Sequence, residues 1–132
     1  MSSGPPTEHT INLGSAWQRT LLNRSDEVLA AGRVRLPDAT VFTGDVEQAI
    51  YQRSFNRPSG LDSTSRVYLE CGLFAAGNQA FFNDDLRSDM ASTTIVEITN
   101  DMQAFNTLRI VIERANIAIV GSASAMIRIT RS

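Results

Sequence analysis

At 132 residues the chain has the length of one ordinary domain, and a domain of this size buries roughly two thirds of its unfolded surface without help from a metal or disulfide. Its 42% hydrophobic and 20% charged content is that of a globular chain and not of a disordered one. Twelve basic against fourteen acidic residues give a formal charge of -2 with no basic block, so the electrostatic footprint of a nucleic-acid binder is missing. The single cysteine, Cys71, has no partner for an internal disulfide and suits a reducing compartment. The opening "MSSGPPTEHT" lacks the apolar core of a secretory signal. No stretch approaches the ~20 apolar residues of a membrane helix. A cytoplasmic chain with no membrane partner is expected.

In chain order, residues 1–8 hold Gly4, Pro5 and Pro6 among small polar residues and read as a flexible lead-in to a single domain over 9–132. From there the dominant period is two. Ile11, Leu13 and Trp17 share one parity in "INLGSAW". "NRSDEVLAAG" is the one helical candidate, with Asn23 or Ser25 as cap, Asp26 and Glu27 in the first turn and Gly32 at its end. In "RVRLPD", Val34 and Leu36 oppose Arg33 and Arg35, and Pro37 stops the strand. "AIYQRSF" sets Tyr51, Arg53 and Phe55 on one face, with Ile50 opposite.

"SRVYLECGLFAAGNQAFFNDDL" reads as two strands folded back at a glycine, with Val67, Leu69 and Cys71 inward and the turn residues Asn83, Asp84 and Asp85 at its tip. "TTIVEIT" alternates around Val96 and Ile98. "TLRIVIE" puts Leu108, Ile110 and Ile112 on one face. "NIAIV" and "AMIRIT" complete the set as strands, the latter with Ile127 and Ile129 inside. About eight or nine short strands without long helices between them mean a β-sandwich or barrel.

Taken together the segments resemble one family. "INLGSAW" is similar to the opening I-x-L-x-G-x-W of the sugar-binding domain in family 2 glycoside hydrolases, the β-galactosidase and β-glucuronidase relatives. "VRLPDAT" is similar to its V-x-L-P-x strand end, and "AIYQRSFNRP" to its W-Y-R-R-x-F-x-x-P strand. "SRVYLECGLFAAGNQAFFNDDL" resembles its R-V-x-L-x-F-x-G-V-x-x-x-A-x-V-x-L-N-G hairpin, and "TTIVEITNDMQAFNTLRIVIE" its F-x-x-D-I-T-x-x-L-x-x-G-x-N-x-L-x-V-x-V segment.

The matches run in family order from about residue 10 to residue 130. The chain departs from the pattern at Ile50, Asp84, Glu97 and Phe105, where the family has tryptophan, glycine, aspartate and glycine. The resemblance implies an all-β fold, a jelly-roll β-sandwich of the galactose-binding-like type. The hydrolases' catalytic residues lie on a barrel domain to which nothing in these 132 residues corresponds. The resemblance therefore implies a binding or architectural module and not a glycosidase.

Sugar binding asks for aromatic rings to cover a pyranose face and for Asp, Asn, Gln or Arg side chains to take its hydroxyls. Trp17 continues an inward parity and is expected in the core. The inter-strand loop "DATVFTGDVEQA" is the better candidate: Phe42, Asp45, Glu47 and Gln48, joined by Tyr51 and Arg53 on the next strand, are the expected ligand-binding residues. Asn83, Asp84, Asp85 and Asp89 offer oxygen ligands, but Asn-Asp is also good turn chemistry, and the spacing is not that of a calcium loop.

No catalytic set is present. The only histidine, His9, lies in the lead-in, and Cys71 falls on an inward parity. Glu70, Glu97, Asp101 and Glu113 show no spacing that pairs them across a cleft. No cofactor or metal site is expected. The partner expected first is a glycan or oligosaccharide. The alternatives are a protein partner or homo-oligomer held through outward faces such as that of Tyr68, and a degenerate hydrolase relative.

Overall fold

The computed structural model describes residues 7–75 and 77–131. In these residues ten antiparallel strands form two layers. The four-stranded sheet has the order β1-β10-β5-β8, where β1 is Thr7–Asn12, β10 Ala125–Arg131, β5 Ser65–Cys71 and β8 Ile95–Glu97. The six-stranded sheet runs β3-β2-β4-β9-β6-β7, with β3 Val28–Val34, β2 Trp17–Leu22, β4 Gln48–Asn56, β9 Phe105–Glu113, β6 Gln79–Phe82 and β7 Asp85–Leu86. The chain passes repeatedly from one layer to the other. The period of two leaves a sandwich or a barrel open, and this is the two-layer sandwich that the resemblance implies.

The inward parities are those expected. Val67, Leu69, Cys71, Ile127 and Ile129 meet Trp17, Tyr51, Leu108, Ile110 and Ile112 between the sheets, all buried. Such alternation arises where one face of a strand meets the core and the other meets water. Trp17 is wholly buried, and its Nε1 donates to the Leu13 carbonyl at 2.6 Å, as a buried indole N–H requires.

Four features differ from the sequence expectations. Residues 1–6 of the expected lead-in lie outside the described residues, but Thr7 and Glu8 already pair with Arg131 and Thr130, and His9 follows them in β1. "NRSDEVLAAG" is not a helix. Asn23 accepts the Ser25 and Glu27 amides at 2.9 Å each through Oδ1, with Asp26 at φ +60°, and so closes the turn between β2 and β3. "NIAIV" is not a strand but part of the 3-10 helix Arg114–Gly121, which seats Val120 in the core.

Finally, β5 and β6 do not form a hairpin. At Gly72 the chain leaves the four-stranded sheet, and a Cβ there would meet the Ala123 Cα at 2.9 Å. Glycine is what lets the two backbones pass. The segment then buries Leu73 and Phe74 and enters the opposite sheet at Gln79.

Candidate functional site

Tyr51 is placed by the inward parity of β4 and is wholly buried, and its hydroxyl donates to Asp38 Oδ2 at 2.7 Å. Arg19, its cross-strand neighbour on β2, donates Nη1 to the same oxygen at 2.8 Å and to Thr40 Oγ1 at 2.9 Å. Asp38 Oδ1 accepts the Thr40 hydroxyl at 2.6 Å and the Thr40 amide at 3.0 Å. The Arg19 guanidinium lies 5.5 Å from the centre of the Phe42 ring. Burial alone would raise the Asp38 pKa, but the hydrogen bonds from Thr40, Tyr51 and Arg19 together outweigh it and hold the carboxyl below its ordinary value. Burial first, and then the Asp38 charge, push the Tyr51 hydroxyl well above its usual range. Each partner is satisfied by another. The cluster is a closed network that fixes the rim of the sandwich, with Phe42 as its half-buried cover.

The other expected ligand-binding residues lie in different surroundings. Gln48 Nε2 donates to Glu113 Oε1 at 2.7 Å. Arg53 donates Nε to the Ser15 carbonyl at 2.6 Å and Nη1 to its neighbour Ser54. Asp45 and Glu47 line a shallow cleft with Asn23, Arg24 and Leu29. Arg114 staples this loop through the Gly44 and Val46 carbonyls, the latter at 3.0 Å. Phe42 and Tyr51 thus meet through Arg19 and Asp38, and the remaining four face elsewhere. Sequence reasoning passed over Arg19, Asp38 and Thr40. A signal was present, since Arg19 shares a parity with the buried Trp17 and Leu21, and an inward arginine demands a carboxylate.

The Asn83-Asp84 tip is a turn. Both residues have positive φ, +51° and +71°, and Phe82 pairs directly with Asp85, so the two make the connection of the β6–β7 hairpin. Asn83 is tied inward, its Nδ2 donating to Asn106 Oδ1 at 3.0 Å and its Oδ1 accepting the Thr107 amide at 2.9 Å. Asp89 and Asp101 are occupied by Arg87, at 2.8 and 3.1 Å. Among the described residues no group of three or more His, Cys, Asp or Glu is placed to hold a metal ion.

Two of the carboxylates weighed for catalysis are likewise committed. Glu70 bonds Arg128 at 2.6 Å, and Glu97 accepts from Thr99 at 2.8 Å. Cys71 is buried, and burial pushes its thiol up to about 12, far from a reactive thiolate.

A different arrangement lies on the outward face of the six-stranded sheet. Register brings Gln18 on β2, Gln52 on β4, Arg109 on β9 and Phe81 on β6 into one row that crosses four strands. Arg109 sits 4.6 Å from the centre of the Phe81 ring and forms no ion pair among the described residues. Gln18 and Gln52 are exposed, and their amides carry no hydrogen bond within the described residues. Unlike the rim cluster, this row has donors and acceptors to spare.

No family profile and no curated protein sequence matches the chain. Solved structures do. An FMN-binding β-glucuronidase from Facaelibacterium prausnitzii L2-6 superposes with a TM-score of 0.62 at 20% identity, over 96% of this chain and 23% of that one. A β-glucuronidase from Ruminococcus gnavus gives 0.61 at 11% identity over 94% and 30%, and the β-D-glucuronidase of Dictyoglomus thermophilum 0.60 at 14% over 95% and 28%. At these identities the likeness is one of fold, and the chain spans less than a third of each structure. It has the β-sandwich fold that the resemblance to the sugar-binding domain of family 2 glycoside hydrolases implies. No helix among the described residues is long and apolar enough to cross a membrane.

Proposed function

We propose that this chain is a carbohydrate-binding β-sandwich module that breaks no bonds itself, and that its ligand lies on the outward face of the six-stranded sheet. One observation carries the reading: the row Gln18, Gln52, Arg109 combines unspent hydrogen-bonding groups with the Phe81 ring in a single register. Each amide offers both a donor and an acceptor, which is what a pair of neighbouring sugar hydroxyls requires. An arginine positioned over a ring, with no carboxylate partner, keeps its N–H groups for a ligand. Asp45 and Glu47, in their cleft with Asn23, Arg24 and Leu29, provide the competing location. The non-catalytic reading is supported by the commitment of Glu70 and Glu97 to Arg128 and Thr99 and by a sealed thiol.

The test is a glycan array of neutral and acidic oligosaccharides, followed by calorimetry on any hit. Binding should be lost in Gln52→Ala/Arg109→Ala and kept in Asp45→Ala/Glu47→Ala. The reverse pattern moves the site to the cleft of Asp45 and Glu47, and silence across the array removes the carbohydrate reading.

A further inference from the structure

A sandwich of two open sheets has four edge strands, and unprotected edges invite pairing. Three edges here are guarded. β7 is two residues long and β8 three, too short to template a partner strand. β1 carries Glu8, which pairs with Arg128 of the adjoining β10 at 3.3 Å, and a charge on an edge strand discourages a neighbour.

β3 is the longest of the four edges, and its one charge, Arg33, lies near its end, leaving Val28 to Gly32 uncharged. It is seven residues long, reads VLAAGRV, and is hydrogen-bonded on one side only, to β2. Its single register shift leaves Leu29 unmatched near the start, and Ala30 through Val34 pair regularly with Leu21 through Trp17. Both faces are open. Ala30 and Gly32 share the inward parity of Leu21 and Trp17, yet they are exposed, because the four-stranded layer does not extend beneath them. Val28 is 61% exposed and Leu29 43%. A long, apolar, uncovered edge is a surface for another strand.

Charge decides which strand. Asp26 and Glu27 stand just before β3, and Arg33 and Arg35 stand at its far end. None of the four forms an ion pair among the described residues. A second β3 laid antiparallel brings the acidic start of each strand beside the basic end of the other, twice over. A parallel arrangement would set like against like. We infer that β3 is the pairing edge for a second copy of this chain, giving a two-fold dimer with one continuous sheet across both subunits. The contact is isologous and each copy presents one such edge among the described residues, so assembly through it stops at two.

Sedimentation velocity over a concentration series tests this without any ligand, so its result is independent of the carbohydrate reading. The wild-type chain should show a monomer–dimer equilibrium that salt weakens. Glu27→Arg alone, and Arg33→Glu/Arg35→Glu alone, should each raise the dissociation constant by about tenfold or more, as attraction is lost in the first and becomes repulsion in the second. An equimolar mixture of the two variants should recover a heterodimer. Ala31→Lys, which puts a charge at mid-strand, should also dissociate the dimer, with unchanged circular dichroism showing that the subunit is folded. A wild-type monomer at every concentration, or a dimer indifferent to all of these substitutions, overturns the inference.

Discussion

β5 and β3 are both seven-residue strands, and their positions give them opposite characters. β5 lies between β10 and β8 with the second layer behind it, so its residues alternate between buried and outward along its whole length. β3 hangs beyond the end of the facing layer, and apart from the partly covered Val34 each of its residues is exposed. The backbone conformation is the same in both. What differs is whether a core exists on one side, and this teaches that the period of two records burial and not strand geometry as such.

Substitution can break this comparison. Leu69→Ala in β5 removes a side chain that is 1% exposed and should cost about 2–5 kcal/mol in urea unfolding. Leu29→Ala in β3 should change the same measurement by less than about 0.5 kcal/mol. Comparable losses at the two positions would show that β3 is as well packed as β5.

The rim cluster is the intermediate case. Asp38→Ala leaves the Arg19 guanidinium and the Tyr51 hydroxyl without their acceptor and should cost about 3 kcal/mol. The pH dependence has a definite sign. The folded-state pKa of Asp38 is depressed, so its contribution is complete above the unfolded value of about 4 and fades as pH falls through the folded value below that. Unfolding of the Asp38→Ala variant should therefore be flatter with pH on the acid side than that of the wild type. The smallest expected effect lies at the β6–β7 turn. Asp84 holds φ +71°, and Asp84→Gly should stabilise by about 0.5 kcal/mol in the same assay, since Asn-Gly suits a two-residue hairpin better.

The fold was legible where a strand borders the core. Leu108, Ile110 and Ile112 announce β9 because their neighbours face water. β3 was not legible: without a buried face it shows no alternation, and Leu29, Ala30 and Ala31 are good helix formers placed after cap-like residues. The run from Asn116 to Val120 is short and apolar, which periodicity alone cannot assign to strand or helix. The crossing at Gly72 depends on Ala123, fifty-one positions away, and no local pattern encodes such an approach. For the site, the inward parity of Arg19 was readable and Asp38 could have been sought as its partner. The outward row was not readable, since residues 18, 52, 81 and 109 become neighbours only once strand order and register are known.

The seclusion of Cys71 has a practical side. The chain has one cysteine, and its sulfur is enclosed and holds its proton tightly. Maleimides and spin labels attack exposed thiolate, so a thiol engineered onto the surface would take up the reagent alone. Attached at the exposed Ser25, such a probe would test the proposed pairing of two copies by the distance between them, from one known address.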